Sequence, residues 1–146
     1  MYKTKQTGWV IIILVVIVEI IQMMLFRYYG DQLEGPGIII YTTAIAFIIL
    51  LLLFHHLEVK VDQNAVKISF GIGLIRKKIP LSNIKKTEAV RNKSWYGWGI
   101  HYTPHGWLWN IGGFQAVEIT YKDSGKKFRV GTKDAKHLKE EIDKRL

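Results

Sequence analysis

Two polar side chains interrupt the apolar run "WVIIILVVIVEIIQMMLF" at residues 9–26, and both could handle a proton or an ion: Glu19 and Gln22. Three positions apart, they share one face of any helix that carries them. A second apolar run, "IIIYTTAIAFIILLLLF" at 38–54, supplies Thr42 and Thr43, whose hydroxyls can answer them. In hydrocarbon such a set either ties helices together or forms part of an ion path. The expected role is an intramembrane polar contact, within one hairpin or between copies, because two spans per chain offer few partners for a path. The alternative is a subunit of a transport or stress-response assembly with Glu19 in an intramembrane polar site.

The next group by residue type is basic. Arg76, Lys77 and Lys78 stand just before Pro80, and Lys85, Lys86, Arg91 and Lys93 follow it. Beside a membrane each Lys or Arg gains roughly 1 kcal/mol from anionic lipid. The expected partners are therefore membrane lipids, or an acidic surface on a protein partner or a second copy in a homo-oligomer. A solvated basic face is the plain alternative. Nucleic acid is not expected, because the rings that could stack on bases are assigned below to a core.

Covalent chemistry has little to work with. The chain has no cysteine, which excludes disulfides, thiolate metal sites and a thiol nucleophile. Its histidines are His55, His56, His101, His105 and His137, none spaced with a carboxylate in a metal-binding pattern, and the first two should point apart. "GIG" at 71–73 lacks the third glycine of a dinucleotide fingerprint and reads as a strand bend. "NKS" at 92–94 is a glycosylation sequon in spelling only. Ser82, Ser94 and Ser124 lie near no His and acid that could activate them. No enzyme activity, metal or cofactor is expected.

Two unlike halves must position these groups. Residues 1–56 contain only Lys3, Lys5 and Arg27 of the 21 basic residues, matched by Glu19, Asp31 and Glu34, so the formal net charge of +9 belongs to the remainder. The two apolar runs make roughly 25–27 Å of helix, enough to nearly span a hydrocarbon core of about 30 Å. Trp9, Tyr28 and Tyr29 fall at headgroup level. Nothing else in 146 residues could cover two such helices in water. Glu19 costs about 3 kcal/mol at a span's centre, whereas the surrounding Val, Ile, Leu and Phe return roughly 4–8 kcal/mol. "QMMLFRYYG" offers no signal-peptide cleavage site, so both spans should persist. The expected anchor is residues 1–56, with transmembrane helices at about 9–27 and 38–55 separated at Gly35, Pro36 and Gly37. Lys3, Lys5 and the basic remainder flank the spans, while Asp31 and Glu34 sit between them, which puts both termini in the cytoplasm. Matched midpoints bring Glu19 level with Thr43 and Ala44, and Gln22 with Tyr41 and Thr42.

From Leu57 the apolar period becomes two, the signature of strands with one buried face. "LEVKV" and "VKISF" around "DQNA" should pair Leu57 with Phe70, Val59 with Ile68 and Val61 with Val66, all on one face. Pro80 belongs at a strand end or edge, and "LSN" turns into "IKKTEAV". "TPHG" at 103–106 suits a type I turn, pairing Tyr102 with Trp107, Ile100 with Trp109 and Trp98 with Ile111. Core packing accounts for that ring-rich face. "VEITYK" and "KFRVG" around "DSGK" should pair Tyr121 with Phe128 and Ile119 with Val130. A helix follows, capped by Thr132 and favoured by Asp134, with Ala135, Leu138, Ile142 and Leu146 as its apolar stripe.

Three segments, "IPLSNI", "HGWLWNIGG" and "AVEITYKDSGKKFRVGTKDAKHL", carry a resemblance over residues 57–146. The chain resembles the bacterial membrane-associated PH-like domain family, most specifically at "FRVGTKD". That resemblance implies a bent β-sandwich or partly open barrel of about seven strands capped by a C-terminal α-helix, following a two-helix transmembrane hairpin. It also implies a bacterial cytoplasmic membrane protein acting as a binding, scaffold or regulatory module, without naming a ligand.

Overall fold

The computed structural model of the chain describes residues 1–30 and 36–146; the connector acids Asp31 and Glu34 and the break expected at Gly35 lie outside them. Helix α1 is Trp9–Tyr29 and helix α2 is Pro36–Phe54, within two residues of the expected ends. A proline is tolerated in the first turn, where its missing N–H would have had no partner, so α2 takes in Pro36 and Gly37. Both helices are long and apolar enough to cross a membrane. Side chains such as Ile13, Met23, Ile38 and Ile48 are exposed around them. Away from the sheets, from Ile13 onward on α1 and up to Ile49 on α2, only a narrow stripe is shielded: Val15, Glu19 and Gln22 on α1, and Ile40, Thr43, Ala44 and Phe47 on α2. The spacing of three and four residues is that of one helix face.

The segment ahead of α1 departs from expectation. Tyr2–Thr7 is a strand, β1, and it pairs antiparallel with β2, His56–Val61. The helix pair is therefore an excursion between two neighbouring strands, and residues 1–56 are not an anchor separate from the β domain. Thr7 faces His56, and the Gly8 N–H donates to the His55 carbonyl at 2.9 Å. Tyr2, Thr4 and Gln6 point inward while Lys3 and Lys5 point out. With no aliphatic residue at an inward position, the alternation left no hydrophobic signal.

Strands β3, Ala65–Phe70, and β4, Ile75–Pro80, complete a four-stranded sheet in the order β1-β2-β3-β4. The β2–β3 register is the expected one, and all six of its apolar residues are buried. Pro80 ends β4, an edge strand, where no ladder donor is needed.

After a 3-10 turn at Leu81–Asn83 the chain builds a second sheet. It comprises β5, Ile84–Arg91; β6, Gly99–Thr103; β7, Gly106–Asn110; β8, Gln115–Tyr121; and β9, Lys127–Gly131. Their order is β5-β8-β9-β7-β6, with β7 parallel to β9 and the other pairs antiparallel. Eight strands thus follow the helices, against about seven expected, and they form two sheets rather than a closed barrel. Ile119 faces Phe128 and Val117 faces Val130, two residues from the expected register. An even slip keeps the same side chains inward.

Helix α3, Ala135–Asp143, covers the core with Ala135, Leu138 and Ile142. Its N-cap is Asp134, which accepts from the His137 N–H at 3.0 Å, while Thr132 is buried two residues earlier. Leu146 lies beyond the end of α3 and is 54% exposed, so it leaves the apolar stripe.

The ring-rich hairpin pairs Tyr102 with Trp107 and Ile100 with Trp109 as expected, but it is not wholly core. Trp109 packs between Phe70 and Phe128, at 5.4 and 5.8 Å between ring centroids. Tyr102 is 74% and Trp107 50% exposed, whereas Leu108 and Asn110 on the other face are buried. Strand β6 is outermost in its sheet, so no neighbouring strand covers the turn end of this hairpin.

Candidate functional site

A cleft of about 620 Å³ opens where β4, the free edge of the first sheet, meets the β6–β7 turn and the β8–β9 loop. Lys77, Tyr102, Trp107, Tyr121, Lys126 and Phe128 form its walls. Gly106 brings the turn against β9: its φ is +92°, and a Cβ there would lie 2.0 Å from the Lys127 carbonyl oxygen. Only glycine fits so close an approach at positive φ. Lys77 Nζ sits 5.1 Å from the Phe128 ring centroid, a cation held over an aromatic face. Among the described residues neither Lys77 nor Lys126 has an ion-pair partner, while Lys127 is held by Glu118 at 2.6 Å. Asp123 on the rim is the single acid against them. Burial pushes the Tyr121 phenol up from its usual range, keeping its O–H as a donor. The buried Oδ1 of Asn83, also on the wall, has no partner among the described residues. The arrangement can take an anionic group at its lysines and a flat or apolar body against its rings. Ser124 Oγ, which lines the same cleft as His105 and Asp123, accepts from the Lys126 N–H at 3.3 Å.

The basic residues singled out in the sequence do not form one patch. Lys77 lines the cleft. Arg76 and Lys78 are exposed on the outer face of the first sheet, opposite Ser69 and Lys67. Lys85 and Lys86 begin β5 on the second sheet, and Lys86 is paired with Glu88 at 2.6 Å, a hydrogen bond that raises its pKa. Arg91 lies over Phe114 and Lys93 over Trp95, at 5.7 and 5.0 Å from the ring centroids. One basic feature escaped the sequence reading because β1 did: Lys3, Lys60, Lys67 and Lys78 form a row across all four strands of the first sheet. Glu58 bridges Lys3 and Lys60, each at 2.7 Å. Burial pushes the Glu58 carboxyl up, but those two lysines outweigh it and hold it low. A hydrogen bond from Lys67, then the N–H groups of Asn64 and Ala65, hold Asp62 well below the usual range.

Between the helices the Thr43 hydroxyl lies 2.8 Å from Gln22 Oε1, one residue along from the depth expected for Gln22. Thr42 is exposed and donates back to the Ile38 carbonyl at 2.8 Å, outside the contact. Glu19 shares the shielded stripe, and its buried Oε1 has no partner among the described residues. The rings of His55 and His56 do not point apart: their centroids are 4.3 Å from each other. Among the described residues no three His, Asp or Glu side chains gather as a metal site.

The cleft's two turns were each legible as "TPHG" and "DSGK". Their convergence was not, because it depends on the parallel pairing of β7 with β9. No protein-family model matches the chain, and no curated protein or solved structure matches it significantly.

Proposed function

We propose that the protein is a membrane-anchored binding module, a PH-like bent sandwich on a two-span hairpin, whose cleft receives an acidic segment of a protein partner. The observation that carries this reading is the pair of unmatched cations, Lys77 and Lys126, set among exposed rings in one cleft. Location selects a protein over lipid. Strands β7 and β9 start at the cleft, and β7 leads to Ile111, against which a Cβ on Gly8 at the base of α1 would press. The cleft therefore opens at the end of the sandwich remote from the helices, out of reach of the headgroups around them.

The PH-like reading rests on the strand-rich body closed by a C-terminal helix, and its nine strands exceed the seven that the resemblance implies. The cytoplasmic assignment rests on Lys3, Lys5 and the basic β domain lying on one side of the helix pair, with Asp31 and Glu34 between the spans, and the bacterial membrane rests on the resemblance alone. The free Oε1 of Glu19 supports a secondary role, contact with a polar group of another membrane subunit. This reading assigns no catalysis.

A photo-crosslinking residue at Tyr102, in the full chain in its native membrane, tests the proposal. The expected result is a discrete protein adduct that disappears in Lys77→Glu/Lys126→Glu and persists in Lys85→Glu/Lys86→Glu. An adduct indifferent to the first pair of reversals, or no adduct, overturns it.

A further inference from the structure

The end of the β domain from which the helices emerge carries an apolar and basic rim, and the three segments composing it arrive there independently. The β3–β4 turn is the first. The Ile72 N–H donates to the Leu52 carbonyl at 3.0 Å, so this turn lies beside α2 itself, about 4.5 Å of helix beyond His55. Gly71 makes that approach possible: with φ at +46°, a Cβ there would lie 2.0 Å from the same Leu52 oxygen. The turn then exposes Ile72 and Leu74, 58% and 72%, next to Leu52, itself on the exposed apolar surface of α2.

The second segment joins β5 to β6. It is held at both ends near the bases of the helices: the Asn92 N–H donates to the Phe114 carbonyl, and Gly99 faces Asn110. Phe114 closes a short link that begins at Ile111, and Gly112 in that link accepts a hydrogen bond from Gln6 of β1. Between its ends this segment exposes Trp95, with Lys93 over its ring. The third is the end of β9, where the Thr132 N–H bonds the Gln115 carbonyl and Lys133 is exposed.

We infer that this rim docks into the headgroup region of the same bilayer that holds the helices, with Ile72, Leu74 and Trp95 entering the interface and Arg91, Lys93 and Lys133 meeting anionic headgroups. The inference rests on the reading of the helices as membrane-embedded. Its occupant follows from continuity, since Ile72 extends the exposed apolar surface of α2 without a gap. Tryptophan and a flanking lysine are the residue types that settle at that depth. Docking at three points around the helix bases holds the domain upright and keeps the cleft facing away from the membrane.

The chain has no cysteine, so single cysteines can carry an environment-sensitive fluorophore at Ile72, Trp95, Tyr102 or Ile45. All four side chains are exposed. The full chain is placed in vesicles of phosphatidylethanolamine and phosphatidylglycerol. Labels at 72 and 95 should be quenched severalfold more by lipid-borne nitroxide, and severalfold less by aqueous iodide, than the label at 102. Quenching at 45 by a deep nitroxide, with 72 and 95 as open to iodide as 102, overturns the docking and leaves the anchor standing. A label at 45 that no lipid nitroxide reaches overturns both.

Discussion

Glu118 is buried with its side chain 2% exposed, on the face of the second sheet opposite the core residues Val117 and Ile119. It accepts from Arg129 at 2.7 Å and from Lys127 at 2.6 Å, and Arg129 also donates to Asn92 at 3.4 Å. Burial pushes the Glu118 carboxyl up, but hydrogen bonds from Lys127 and Arg129 outweigh it and hold it below its ordinary value of 4.5. A carboxyl lowered in the folded state binds more protons when unfolded. Its contribution is therefore present above 4.5 and lost as pH falls through the lower folded value. Removing the charge leaves Arg129 buried without its partner, a change that costs about 3–5 kcal/mol for a buried pair. Glu118→Gln should lower the urea midpoint of the detergent-solubilised chain at neutral pH, followed by tryptophan fluorescence. The gap from the parent should narrow on the acid side of 4.5, and a constant gap would refute the assignment.

At the scale of elements, α3 is secured by its stripe rather than by its charges. Leu138 is fully buried in the core to which both sheets contribute, and Leu138→Ala should cost about 2–5 kcal/mol. Leu146→Ala should change nothing measurable, because that side chain lies past the helix end. Thermal unfolding of the two variants side by side distinguishes a stripe of three residues from one of four. Where alternation was strong, as in β2 and β3, the register could be read residue by residue, because slipping by one would turn every apolar side chain outward. The β8–β9 register was readable only to within two residues, since a slip of two leaves the same face buried. Burial at the β6–β7 hairpin was misread for a different reason: its ring pairs are a local matter, but how much of that face is covered depends on the opposing sheet, which reaches Trp109 through Phe70 and leaves Tyr102 and Trp107 open.

At the scale of the molecule, the chain leaves the sandwich for the helix pair and returns to it at one seam. Gly8 and His55 are hydrogen-bonded to each other, and Thr7 faces His56 across the β1–β2 ladder. Joining Gly8 directly to His55 would thus leave β1 and β2 linked by a two-residue hairpin loop, a connection with native precedent and with glycine first. A chain lacking residues 9–54 is expected to fold in detergent-free buffer with a β-rich circular dichroism spectrum and a cooperative melt. Aggregation, or a spectrum without β structure, would show that the helices are part of the folding unit rather than an excursion from it.

Short-range periodicity determined the two apolar helices, the strand-rich remainder, the turns and the C-terminal helix, because the face a residue presents is decided by neighbours a few positions away. Glu19, Gln22 and Thr43 were legible as one polar set for the same reason, once two helices had to lie side by side. Tertiary structure alone decided the rest. It recruited Tyr2–Thr7 as a strand, since the free edge of β2 could accept its backbone although Tyr2 is its one inward side chain packed on the hydrophobic core. It also dispersed the basic residues over three surfaces and set two distant turns around one cleft. Backbone pairing between remote segments depends on which edges the folded sheets leave open, and local spacing carries no record of that.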